Sequence, residues 1–469
     1  MTGKREKDVL LLVASLASFL VPYTVSSLNV ALPAIASTFA LDAVTLGWIT
    51  SAYLLTAAVC IVPFAKLSDM HGRKRFFLIG NALFIAGSLL AALSWAGYAL
   101  IIARIVQGLG GAMVFGTSIA ILTTVFPPGE RGRAIGIVTA TVYAGLTLGP
   151  FIGGFLTQNT GWPGIFLLNV PIGLLVIALT LLWIPEEWAD GEQRRFDLQG
   201  AVLYGLMLVC GIYGLTILPA VNGIILIGAG AIFFCAFIRR ERCTPDPLLE
   251  PALFRDNRIF LYSNIAALIN YAVVFAVGFL LSLYLQYNRG LDPQTAGLIL
   301  IAQPVVQMVV SPVSGHYSDT VEPRLLATAG MAITTVGLLI FALVSPETPL
   351  WIIITGLLIL GLGYGTFSSP NTNAIMSSVE TRHLGVASGM VSTMRAIGQM
   401  LSLAIAMLVF SAILGTVQIT PSVYPQLQQS VTTVFAVFVV LGIVGTAASY
   451  ARGISTETDI PPDRDRDPL

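Results

Sequence analysis

Long apolar runs alternate along the chain with short polar joints. Runs of roughly 17–25 residues, the length at which a helix crosses a bilayer core, fill 9–32, 45–65, 77–95, 99–124, 134–156 and 165–184. The polar stretch 185–197 separates these six from a pair at 198–218 and 223–238. A charged link, 239–258, precedes six more at 259–285, 295–314, 325–344, 350–369, 386–414 and 431–450. The pattern predicts an all-α polytopic membrane protein of fourteen transmembrane helices. Its parts are a six-helix bundle over 1–184, a linker with two extra helices over 185–258, a second six-helix bundle over 259–450, and a polar tail over 451–469.

Charge placement supports that count. With both termini in the cytoplasm, only Arg289 of the 24 Lys and Arg falls outside, and only Arg104 and Arg395 fall within runs. A missed span would scramble this sorting, so the positive-inside bias argues for an even number of spans in a plasma membrane. Trp48, Trp95, Trp183 and Trp351 lie near run ends, where an amphipathic ring suits the interface. Lys4, Arg5 and Lys7 ahead of the first run resemble a signal peptide. That run continues to Leu32 without a small-residue cleavage site, so it reads as a retained span.

Composition agrees: 56% hydrophobic, 10% charged and a mean hydropathy of +0.85 are too apolar for a soluble chain of this length. Zero formal net charge, sorted by side of the membrane, presents no basic face and predicts no nucleic-acid partner. Cys60, Cys210, Cys235 and Cys243 lack metal-type spacing, so neither a metal nor a disulfide is expected, and no cofactor. A membrane enzyme would need a catalytic cluster or a sizeable soluble domain, and the longest connection is about twenty residues.

The joint between runs two and three, Phe64-Ala65-Lys66-Leu67-Ser68-Asp69-Met70-His71-Gly72-Arg73-Lys74-Arg75-Phe76, reads as a short cytoplasmic hairpin. Gly72 can take the positive φ of a chain reversal, and Asp69 at a helix end can bond backbone or pair with an arginine. A weaker copy follows the second run of the last six, where Asp319 precedes Arg324 by five residues, the offset from Asp69 to Lys74. Duplicated halves around a central pathway are a common plan among secondary transporters.

These residues resemble motif A of the major facilitator superfamily, although Ala65 stands where a Gly is usual. Arg104-Ile105-Val106-Gln107-Gly108-Leu109-Gly110-Gly111-Ala112 is similar to motif B, and Gly145-Leu146-Thr147-Leu148-Gly149-Pro150-Phe151-Ile152-Gly153-Gly154 to motif C, the pattern of the antiporter branch. With fourteen spans and Asn29-Val30-Ala31-Leu32-Pro33 closing the first, the chain resembles the fourteen-span drug/proton antiporters of the multidrug efflux type. The resemblance implies that motif C helps seal the outward side. Independently of it, Gly145, Gly149 and Gly153 at offsets of four leave one face of a helix bare for close approach, and Pro150 breaks its hydrogen-bond ladder. Asp69, Gly72, Arg73, Arg75, Asp319 and Arg324 are the corresponding candidates for a cytoplasmic gate.

Intramembrane charge is costly and marks pathways or relays, which singles out Arg104 and Arg395 as structural clamps, as contacts for a substrate anion, or as positive neighbours that tune a proton site. No carboxylate lies deep in a run, and His71, His316 and His383 are all in connections. In the antiporter family an Asp commonly precedes the Asn of the first span by five residues; here that position is Thr24. Proton coupling and recognition of cations are therefore expected to be weak, with protons carried at the mouth carboxylates or by the substrate. The remaining candidates to line a pathway are neutral: Thr24, Asn29, Tyr53, Gln107, Asn264, Asn270, Gln303, Gln307, Asn371, Asn373 and Gln399. Each could instead be a helix-to-helix hydrogen bond. The expected function is efflux of amphipathic small molecules by a monomer working through alternating access. The alternative is an uncoupled facilitator or exchanger for an organic anion.

Overall fold

The structure, a computed structural model, describes residues 4–126, 128–184, 187, 196–218, 220–244, 257–318, 320–379, 384–415 and 417–453. Among the described residues, fourteen helices are long and apolar enough to cross a membrane. They are α1 (Lys4–Phe39), α2 (Ala43–His71), α3 (Arg73–Ala92), α4 (Gly97–Val125), α5 (Pro128–Thr160), α6 (Pro163–Trp183), α7 (Leu198–Thr216) and α8 (Val221–Glu241). Then follow α9 (Arg258–Asn288), α10 (Pro293–Tyr317), α11 (Pro323–Ala342), α12 (Leu350–Ser377), α13 (Leu384–Ile413) and α14 (Tyr424–Ala451). With fourteen traverses both termini lie on one face, called here the termini face; the other is the far face.

Several helices outrun their apolar segments because polar end residues continue the backbone ladder. The joint of 64–76 shrinks to Gly72 alone, at φ 113, with Asp69 and Arg73 inside the flanking helices. Helix starts use side-chain caps, which satisfy amides that have no intrahelical partner. Asp42 accepts from the Val44 and Thr45 amides, Asn257 from Phe260, and Asp292 from Thr295.

Span α9 departs furthest from the uniform run expected over 259–285. Its regular helix ends at Val274, resumes at Val277 and finishes in a π-helical turn, Tyr284–Asn288. At the break, the Ala276 amide donates to Ser402 Oγ of α13 at 2.9 Å. Neither Gly nor Pro marks the site, and hydropathy does not register a hydroxyl on another helix.

Helices α1–α6 pack as one group and α9–α14 as another, and a helix crossing repeats between them. In the first group Gly80 of α3 and Gly110 of α4 meet backbone to backbone, with Phe84 beside them; in the second, Gly330 of α11 and Gly363 of α12 do the same, with Phe367. A Cβ at Gly80 would stand 3.1 Å from the Gly110 carbonyl oxygen, and one at Gly330 2.8 Å from that of Gly363. Small residues at both crossings let the helices touch along their backbones.

The extra pair lies against the seam between the groups. Tyr204 Oη of α7 donates to the Ala58 carbonyl of α2 at 3.3 Å, and Ser411 Oγ of α13 donates to Leu218 at 3.4 Å. Tyr213 meets Trp48 edge-on. Helix α8 packs mainly on α7 through glycines and leaves Ile224, Ile225, Ile232 and Phe234 exposed, as a lipid-facing helix would. Asp197 ties the pair together by capping α7 at Gly200 and meeting Arg240 of α8 at 3.2 Å. Burial alone would raise the Asp197 carboxyl pKa, but the Gly200 amide and the Arg240 guanidinium outweigh it and hold the group below the usual carboxylate range.

Candidate functional site

Contacts joining the two groups gather toward the far face. Gln286 Nε2, on the π-helical turn of α9, donates to the Val30 carbonyl of α1 at 2.9 Å, and Tyr287 Oη to Pro33 at 3.4 Å. The extra residue of a π turn re-aims side chains relative to a continuous α-helix. Asp42 and Gln418 bridge, and the Gln294 amide donates to Gln158 Oε1. Among the described residues, every hydrogen bond between the groups is of this far-face set.

Helix α5 completes the closure with two bare faces. Gly145, Gly149 and Gly153 meet α1, where Cβ atoms at Gly145 and Gly153 would stand 2.6 Å from the Phe19 carbonyl oxygen and from Ser27 Cβ. On another side, Gly154 and Pro150 meet α10 of the second group at Pro293 and Gly297. Ser26 Oγ also donates to the Gly145 carbonyl at 3.2 Å. Glycine and proline of motif C therefore sit where α5 packs on its own group and where it seals against the other.

Arg104 is fully buried within the first group. Its Nε donates to the Ile49 carbonyl at 3.1 Å, Nη1 donates to Gln107 Oε1, and its guanidinium lies 4.4 Å from the Tyr53 ring centroid. Gln107 Nε2 donates to Ser88 Oγ at 2.8 Å, Asn169 Nδ2 donates to Ser88 Oγ at 3.2 Å, and Thr24 Oγ1 donates to Asn169 Oδ1 at 3.1 Å. One polar chain thus runs from Arg104 to Thr24 through α4, α3, α6 and α1. Ser88 and Asn169 are links that sequence reasoning passed over, because small polar residues within spans are common and carry no spacing signal. Neutral oxygens hold Nε and Nη1 and a ring face lies against the cation, while Nη2 is buried without a partner.

Arg395 differs. It lies eleven residues into α13, about 16 Å from that helix's start at 1.5 Å per residue, yet its side chain is exposed. Its Nε donates to Tyr271 Oη at 3.2 Å, and the guanidinium stands 5.3 Å from that ring. Tyr271 and Tyr364 meet edge-on with centroids 6.0 Å apart. Tyr364 and, from the first group, Tyr143 interact electrostatically with Arg395. This exposed side chain, with partners on α5, α9 and α12, faces open space between the groups, and the far-face contacts join the groups at one end. Gln399, one turn along, is half-buried, as is Gln303 of α10.

Of the other neutral candidates, Asn29, Asn264, Asn270, Gln307 and Asn371 are buried. Asn264 Nδ2 donates to the Phe260 carbonyl and Asn270 Nδ2 to Met331 Sδ, and both residues are fully buried. Gln307 is buried on α10, and Asn29 meets Gly278 of α9 in the far-face closure. Asn373 Nδ2 donates to Ser318 Oγ at 3.0 Å. Asn371 Oδ1 accepts from Arg452 Nη1 at 3.2 Å, beside Ser263 and Ser449. Arg452 is itself buried, although it falls in the segment read as polar tail.

At the termini face, Asp69 accepts from Arg73 Nε at 2.6 Å, and Arg73 Nη1 donates to Thr124 Oγ1 at the end of α4, also at 2.6 Å. Glu187, beyond α6, accepts from the Lys74 amide at 2.9 Å and so caps α3, and it lies 3.6 Å from Arg75 Nε. In the second copy Arg324 lies over the Tyr450 ring at 4.2 Å; Asp319 lies outside the described residues.

The family model of the Major Facilitator Superfamily matches residues 14–403, and the chain belongs to that superfamily. It is 32% identical over 392 residues to the riboflavin transporter RibZ of Clostridioides difficile, covering 83% of this chain and 85% of that one. It is 34% identical over 407 residues to the multidrug resistance protein Stp of Mycobacterium tuberculosis, covering 86% and 75%. Among solved structures, a bacterial homolog of the human lysosomal transporter Spinster, inward-facing and occupied, is similar with a TM-score of 0.69 over 96% of this chain and 97% of that one. At 17% identity the likeness is one of fold.

Proposed function

We propose that the chain is a plasma-membrane exporter of amphipathic small molecules that works as a monomer by alternating access, with its termini face in the cytoplasm. The sorting of Lys and Arg supports that orientation. The observation that carries the export reading is the seam of α5, whose motif C glycines pack on α1 while Pro150 and Gly154 meet α10 at the far-face closure. The cavity at Arg395 then faces the cytosol, where an exporter loads. The kinship with a multidrug resistance protein points the same way.

Everted membrane vesicles from cells producing the protein should accumulate fluorescent amphiphiles faster than vesicles lacking it. Equal accumulation across cationic, neutral and anionic dyes would sink the reading.

The hairpin serves as the cytoplasmic gate in this scheme. Asp69 is 41% exposed and its pair with Arg73 is of the surface kind, worth at most about 1 kcal/mol. Asp69→Asn should therefore leave the melting temperature nearly unchanged while slowing transport about tenfold or more, a barrier increase of about 1.4 kcal/mol. Unaltered transport, with unaltered labelling of cysteines placed on the cytoplasmic side, would reduce the hairpin to a topology signal.

A further inference from the structure

The cavity cluster carries a statement about substrate class, which rests on the transport reading above. Among the described residues two arginines lie deep in the spans, and they differ in access: Arg104 is sealed among a carbonyl, an amide and a ring face, with Nη2 buried and unpartnered, whereas Arg395 uses Nε alone and is exposed. The titratable side chains that interact with Arg395 are Tyr271, Tyr364 and Tyr143. Among the described residues, the carboxylates within helices lie in the first or last five residues of those helices, far from this depth.

A guanidinium in a bundle interior is costly and is normally matched by an anion or by hydrogen-bonding oxygens. Here Tyr271 supplies a ring face and one oxygen, and the Nη edge, which makes no hydrogen bond among the described residues, is of the shape that takes a planar acceptor of two hydrogen bonds. The rings of Tyr271 and Tyr364 stand at 67° to each other, so a third ring in the cavity would find both a face and an edge. Tyr143 comes from the opposite group, so a ligand reaching from Arg395 to it would span both moving parts, as a transported molecule must.

We propose that Arg395, Tyr271, Tyr364 and Tyr143 form the substrate site, and that it takes an aromatic ring bearing an anionic group such as a carboxylate. Arg395 fixes the anion and the tyrosines fix the ring.

The test uses the purified full-length protein and equilibrium dialysis with four probes: 2-naphthoate, 2-naphthylmethanol, 2-naphthylmethylammonium and cyclohexanecarboxylate. A charge-assisted contact at Arg395 should make 2-naphthoate bind about tenfold or more tightly than the other three. Arg395→Gln should bring 2-naphthoate down to the level of the alcohol, and Tyr364→Leu should weaken acid and alcohol together while keeping their ratio. Equal or tighter binding of the ammonium probe to the natural protein overturns the proposal, as does an Arg395→Gln protein of unchanged melting temperature that binds 2-naphthoate as before. If Arg395→Gln fails to fold, the four-probe order on the natural protein decides alone. Binding is read without a gradient, so a failed site and a failed export assay are separate results.

Discussion

Gly153→Leu is expected to leave no transport-competent protein. A Cβ at Gly153 would stand 2.6 Å from Ser27 Cβ and 2.7 Å from both its Cα and its carbonyl oxygen. Those neighbours are backbone, or one bond from it, and have no rotamer to escape into. Alanine must already push α1 and α5 apart by several tenths of an ångström, at about 1–3 kcal/mol for overpacking of this kind. Leucine adds three more carbons in the same place. Gly149, one turn earlier against Ser26, should behave in the same way. Gly136 on the same helix has nothing within 4 Å of its Cβ position, so Gly136→Ala should transport normally and separates a packing effect from lost glycine flexibility. The check is membrane abundance, melting temperature and transport for the three variants. Normal transport by Gly153→Leu would mean that α1 and α5 do not meet along this face.

The α5 seam was legible beforehand because four-residue spacing is itself geometry: residues i, i+4 and i+8 share a helix face whatever lies opposite. The spans were legible for a similar reason, since a bilayer demands about twenty apolar residues in a row. Arg104 and Arg395 were not distinguishable, because each is one charge in one apolar run and the difference lies on other helices. Ser88 and Asn169 sit on α3 and α6, with two spans between them in sequence, and meet only in the fold. Tyr143, Tyr271 and Tyr364 fall within hydrophobic runs and count there as apolar residues, so hydropathy hides the ring cluster that Arg395 faces. Arg452 was misplaced by the opposite error, in which a cation just past a run is assigned to solvent even when Ser449, Ser263 and Asn371 can bury it.

Thr24→Asp is expected to make transport respond to a pH gradient to which the natural protein is nearly indifferent. Exchange against protons requires a group that binds and releases one as access alternates, and threonine has none to release. Thr24 is fully buried, bonded to the Leu20 carbonyl at 2.8 Å and to Asn169. A carboxylate at this position would be opposed by burial and favoured by Arg104, reached through Asn169, Ser88 and Gln107. Such a group can take up and release a proton as access alternates. Each pH unit across the membrane then contributes about 1.4 kcal/mol per proton exchanged, a tenfold change in the accumulation ratio at steady state. The new negative charge should also favour cationic substrates over anionic ones. Proteoliposomes with and without an imposed gradient read both effects, and Thr24→Asn, which keeps the polar link without a titrating group, should show neither. The natural protein driving uphill export of a permanently charged cation from a proton gradient would mean that coupling resides elsewhere, at Asp69 or Asp319, and a Thr24→Asp protein that ignored the gradient would leave this polar chain a purely structural one.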